Sequence, residues 1–213
     1  MDLSPTQERL LLASLPHVAF DGWGQRALRA AAQDLEIAPE LAFNAFPRGA
    51  ADLLEAFSAW ADRATLVELE HQDLAAMKVR DRIALGVRTR LMTVEPHREA
   101  VRRAVAALAM PQHAALGLAC AARTVDALWY AAGDRATDYN YYTKRLLLAG
   151  VYSSTLLVWL NDSSEDYTQS WAFLERRIDN VLKVGGRLGK GLKGLLDLPD
   201  RLARRLNPGA AGR

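Results

Sequence analysis

A chain of 213 residues, half of them hydrophobic and about a quarter charged, can bury a large core as one domain or as one domain with an appendage. Its single cysteine, Cys120, excludes an intrachain disulfide framework and points to a reducing compartment. The formal charge of +2 is unevenly spread: residues 1–60 hold Arg9, Arg26, Arg29 and Arg48 against eight acidic residues, whereas residues 185–213 hold seven basic ones against Asp197 and Asp200.

The first residues carry Asp2 and Glu8 with no basic leader pattern and no A-x-A-like site, so no signal peptide is expected. Ser4-Pro5-Thr6-Gln7 reads as a capped helix start, with a helix to about Ser14, before Pro16. Asp21 to Gly24 forms a turn, and Gln25 to Leu35 a second helix with Leu28, Ala31, Ala32 and Leu35 on one face. Pro39 to Phe46 is a short third helix closed by Phe46-Pro47-Arg48-Gly49. This helix, turn, helix spacing, followed by a long fourth helix, resembles the start of TetR-type regulators over about the first sixty residues. The third helix nevertheless contains Glu40 and no Lys or Arg, which argues against nucleic-acid binding.

A long helix is predicted from Ala50 to Met77, another from Arg80 to Thr93 with Ile83, Val87 and Leu91 on one face, a third from Pro96 to Ala109, and a fourth from Pro111 to about Ala132. The uncharged run from Ala104 to Ala122 has the length of a membrane span, but Pro111, Gln112 and His113 interrupt it. No segment sustains a period of two, so the fold class is all-α: a helical bundle of about nine or ten helices.

No catalytic constellation emerges. Glu68 and His71 have the E-x-x-H spacing of di-iron bundles, without the second motif such a site needs. The four histidines fall on four different segments, and Gly189 to Gly194 matches G-x-G-x-x-G without a preceding strand. No metal, cofactor or enzymatic activity is expected.

Ala132-Gly133-Asp134-Arg135-Ala136-Thr137-Asp138-Tyr139-Asn140-Tyr141-Tyr142-Thr143-Lys144-Arg145 resembles the most distinctive motif of the Coq-nine family of ubiquinone biosynthesis proteins. Tyr152-Ser153-Ser154-Thr155, Asp162-Ser163-Ser164 and Trp171 to Ile178 continue that resemblance in order and spacing, and weaker similarity covers most of the chain. The family carries a TetR-like fold without operator binding, so the resemblance implies a non-enzymatic lipid-binding protein. It implies that an isoprenoid quinone precursor or other lipid is bound and that the di-iron demethoxyubiquinone hydroxylase is assisted at a membrane surface. A homodimer is expected. Tyr141 stands where the family often has Trp. The lack of a presequence favours a bacterial, cytoplasmic-face member over a processed form on the mitochondrial matrix side.

Within this frame Tyr142, Leu146, Ala149, Ser153 and Leu157 repeat at helical spacing, and Leu118, Val125, Leu128 and Trp129 can face them from the preceding helix. The expected lipid-binding residues are Leu118, Val125, Trp129, Leu146, Ala149, Gly150, Tyr152, Ser153 and Leu157, with Trp159 a further pocket candidate. A filled core is the alternative. The expected partner-docking residues are Leu128, Asp138, Tyr141, Tyr142 and Arg145.

The tail reads as an amphipathic helix from Arg187 to Leu206, with leucines on one side and basic residues on the other. Leu188, Lys190, Leu192, Lys193, Leu195 and Leu196 are the expected membrane contacts, and Gly185-Gly186 the linker before them. Docking of this helix on the domain's own core is the other reading. Three regions result: 1–60 helix-turn-helix-like, 61–184 lipid-binding core, and 185–213 linker and tail.

Overall fold

The computed structural model describes residues 2–133 and 140–196, with backbone alone at 140, 141, 182 and 184–196. Among them the chain forms nine α-helices, α1 (Pro5–Asp21), α2 (Gln25–Asp34), α3 (Pro39–Ala45), α4 (Ala50–Glu70), α5 (Val79–Thr93), α6 (Arg98–Leu108), α7 (Ala114–Ala131), α8 (Asn140–Asn161) and α9 (Thr168–Leu196). The helix count and the all-α class agree with the sequence reading. Helices α1 to α3 pack together and lean on α4 and α6, while α4, α5, α7, α8 and α9 form the larger bundle. One apolar cluster runs through both parts, from Leu10, Leu15 and Leu28 to Trp159, Leu174 and Ile178.

The first helix starts as its sequence dictates. Ser4 Oγ accepts from the Gln7 N–H and Gln7 Oε1 from the Ser4 N–H, closing a capping box. It does not stop at Pro16, but continues to Asp21 with the proline inside. Proline removes one intrahelical bond, yet Leu15 and Val18 on either side are buried, and their packing outweighs the local defect. Because Pro16 is exposed, Pro16→Ala is expected to raise stability by about 1–3 kcal/mol, read as a higher unfolding midpoint in urea.

Two other boundaries differ from expectation. Helix α4 ends at Glu70, and Leu74–Ala76 forms a separate 3-10 turn capped by Asp73. Helix α9 runs through Gly185 and Gly186, where a linker was expected. Each glycine costs a helix about 1 kcal/mol relative to alanine, a penalty that weakens a helix without ending it. In the first half of α9, Arg80 of α5 binds Asp179 Oδ1 at 2.8 Å and Glu175 Oε2 at 2.6 Å.

Among the described residues no single helix is long and apolar enough to cross a membrane. The pair Glu95–Leu108 and Pro111–Ala131 passes that test together but is bent by 97°. Proline at 111 and the 3-10 turn that follows it break the run.

Candidate functional site

A cavity of about 260 Å³ lies between α4, α5, α6, α7 and α8. Its walls are mostly apolar and include Phe57, Val101, Ala104, Leu108, Ala121 and Leu156. It reaches the surface where the exposed residues Ser153 and Leu157 line it.

Its floor is polar. Arg90 and Asp62 are buried, and Arg90 Nε donates to Asp62 Oδ1 at 2.8 Å. Thr124 Oγ1 donates to the same oxygen at 2.8 Å. Burial disfavours the Arg90 charge, but the acidic groups around it, of which Asp62 is the one ionised at neutral pH and also accepts its hydrogen bond, outweigh burial and hold the guanidinium pKa above its ordinary value. Ser58 and Tyr152 line the cavity beside this pair. Burial pushes the Tyr152 phenol above its ordinary pKa, so it is a neutral hydroxyl at physiological pH.

Of the expected lipid-binding residues, Tyr152, Ser153 and Leu157 line the cavity and the other six do not. Val125 is buried in the apolar core, and Ala149 and Trp129 pack partly buried against it. The Trp129 indole N–H donates to the Lys144 carbonyl at 3.3 Å. Leu118 and Leu146 are 74% and 75% exposed, and Gly150 is exposed too. Trp159 is fully buried in the core.

The reason is the phase of α8. The sequence reading placed Tyr142, Leu146, Ala149, Ser153 and Leu157 inward, whereas Leu148, Val151, Tyr152, Thr155 and Trp159 form the buried face. Between Leu146 and Leu160 the helix carries no charge, so either face is apolar enough to turn inward.

The expected docking residues divide as well. Leu128 is buried against Gly86 and is a core residue, not a surface contact. Tyr142 is 76% exposed, and Arg145 Nε donates to Asp126 of α7. Asp138 and the Tyr141 side chain lie outside the described residues, as do the side chains of Leu188, Lys190, Leu192, Lys193, Leu195 and Leu196. Immediately before the undescribed stretch, Arg82 Nη1 donates to the Ala132 carbonyl at 3.0 Å and Gly133 takes φ +85°, a left-handed turn suited to glycine.

The sequence reading missed Ser58, Asp62 and Arg90. Their signal was present: Ser58, Asp62 and Thr65 share a face of α4 with Leu54 and Leu69, and Arg90 shares a face of α5 with Ile83 and Val87. Polar residues at core positions of otherwise apolar faces mark a buried polar cluster.

The order and packing of the nine described helices are those of a TetR-like fold. A TetR transcriptional regulator from Nitrosomonas europaea superposes with a TM-score of 0.68 at 21% identity, covering 84% of this chain and 99% of that one. Residues 114–185, which include α7, α8 and the first 18 residues of α9, match the model of the COQ9 family. The chain is 33% identical to the human mitochondrial ubiquinone biosynthesis protein COQ9 over 84% of its own length and 58% of the human protein's. The corresponding values are 34%, 84% and 59% for the rat protein, and 32%, 83% and 55% for that of Drosophila melanogaster. This chain is similar to the COQ9 ubiquinone biosynthesis proteins, and it spans a little under three fifths of the length of these three.

Proposed function

We propose that this protein is a non-enzymatic, lipid-binding accessory factor of ubiquinone biosynthesis. It takes an isoprenoid quinone precursor into the cavity and assists the demethoxyubiquinone hydroxylase at a membrane surface. The observation that carries this reading is the cavity itself: apolar walls, a polar floor, and two walls, α7 and α8, drawn from the region that matches COQ9. Small-molecule sites have this composition. The exposed leucines Leu118, Leu146 and Leu157 supply apolar surface that a homodimer would cover. The relatives' names describe those proteins as mitochondrial, which is compatible with a mitochondrial as well as a bacterial membrane as the surface concerned.

Native mass spectrometry of the purified chain is expected to show a co-purifying lipid. Ala121→Trp, which fills the cavity from α7, is expected to cut lipid occupancy by about tenfold or more while costing about 1–3 kcal/mol of stability. A protein that carries no lipid and takes up none would refute the reading. Mixing with the hydroxylase and testing for co-elution examines the partnership separately.

The TetR-like fold also suits a transcriptional regulator, the alternative reading. That reading requires salt-sensitive operator binding. The composition of α3, PELAFNA, offers no cation to a phosphate backbone.

A further inference from the structure

The polar floor of the cavity has more donors than it uses. Tyr152 is 7% exposed and Ser58 8%, both line the cavity, and neither hydroxyl is hydrogen-bonded to another described residue. Neither oxygen is sealed away from the cavity, so a ligand that displaces water from this floor must bring an acceptor for both hydroxyls. Arg90 adds further donors, since among the described residues its hydrogen bond is through Nε, to Asp62.

Charge decides which acceptor fits. Asp62 already balances Arg90, and its Oδ1 receives both the Arg90 Nε and the Thr124 hydroxyl. A carboxylate or phosphate entering the cavity would make two anions against one cation, with an uncompensated charge taken out of water. A carbonyl, phenol or ether oxygen brings no charge, and the waiting hydroxyls satisfy it.

We infer that the cavity selects uncharged amphiphiles bearing a hydrogen-bond-accepting oxygen over anionic amphiphiles of the same chain length, with Tyr152 and Ser58 as the donors and Asp62 as the discriminator. This rests on the lipid-binding reading and deepens it by naming the headgroup class. Free fatty acids and acidic phospholipids are then poor occupants even where they are abundant.

The test is displacement of the neutral dye N-phenyl-1-naphthylamine from the full chain by dodecan-2-one and by dodecanoate. The ketone is expected to displace half of the dye at about a tenfold lower free concentration. Tyr152→Phe, which removes only the hydroxyl, should weaken the ketone about three- to tenfold and leave dodecanoate unchanged. Asp62→Asn, checked for native circular dichroism, should shift the preference about tenfold toward dodecanoate by leaving Arg90 unbalanced. Equal or tighter binding of dodecanoate to the native chain would overturn the inference while leaving lipid binding intact, as would a Tyr152→Phe variant whose ketone affinity is unchanged. If neither the dye nor either amphiphile binds, and native mass spectrometry shows no lipid, the lipid-binding reading fails and this inference with it.

Discussion

Arg90→Leu is expected to destabilise the fold by about 3–5 kcal/mol in urea denaturation, and adding Asp62→Leu in the same chain to recover a large part of that loss. The side chains of Arg90 and Asp62 are 6% and 11% exposed and meet at 2.8 Å between α5 and α4. Removing the arginine leaves a buried carboxylate whose remaining hydrogen bond among the described residues is from the Thr124 hydroxyl. Removing both charges removes that penalty, although Thr124 then loses its acceptor and recovery is incomplete. A single variant within about 1 kcal/mol of the native chain would show that the site is hydrated enough to solvate a lone carboxylate. That outcome would also weaken the argument for selection against anions.

The second large effect is expected at the joint between α6, α8 and α9. Trp159→Ala should cost about 3–5 kcal/mol, and Trp159→Phe less than about 1.5, both by the same denaturation measurement. Trp159 is fully buried, and Arg98 of α6 sits 5.3 Å from its ring centroid and 5.1 Å from that of Tyr167. Arg98 also donates to the carbonyls of Trp159 and Asp162, which closes the C-terminal end of α8 with a cation. The indole N–H of Trp159 has no partner among the described residues, so phenylalanine keeps most of the packing and loses no hydrogen bond.

Asp162 completes this joint and gives it a pH dependence. Its carboxylate accepts the N–H and hydroxyl of both Ser164 and Ser170, ordering the entry into α9. Burial alone would raise its pKa, but these hydrogen bonds outweigh burial and hold it well below the usual carboxylate range. The folded value is therefore lower than the unfolded one of about 3.9. Its contribution to stability is complete above the unfolded value and is lost as pH falls through the folded value. Asp162→Ala should cost about 1–3 kcal/mol at neutral pH, and its stability should fall less steeply than that of the native chain below about pH 4. Parallel slopes would show that Asp162 is not the group responsible.

Much of the architecture was legible in local chemistry. The capping box at Ser4, the proline starts and the helical spacing of Ile83, Val87 and Leu91 each state their element within a few residues. The acidic start of the chain and the composition of α3 were equally plain. The candidate site was legible only in part, because Tyr152, Ser153 and Leu157 were placed at a cavity alongside six residues that do not line it. Leu118 and Leu146 look as core-like as Leu148 in a helix that is apolar all round, and Leu128 looks as suited to a surface contact as to the core.

The sequence by itself determined the all-α class, the order of the helices, the absence of Lys and Arg from α3 and the likeness of residues 132–178 to one family, because each depends on neighbours within a few turns. Only the tertiary structure decided that α1 passes through Pro16, which face of α8 is buried, and that Ser58, Arg90, Thr124 and Tyr152 meet around one cavity with Asp62 bound behind Arg90 and Thr124. Those outcomes depend on burial supplied by helices distant in the chain, and burial outweighs a single proline and sets the phase of a uniformly apolar helix. Burial also brings a lone arginine on α5 to a lone aspartate on α4.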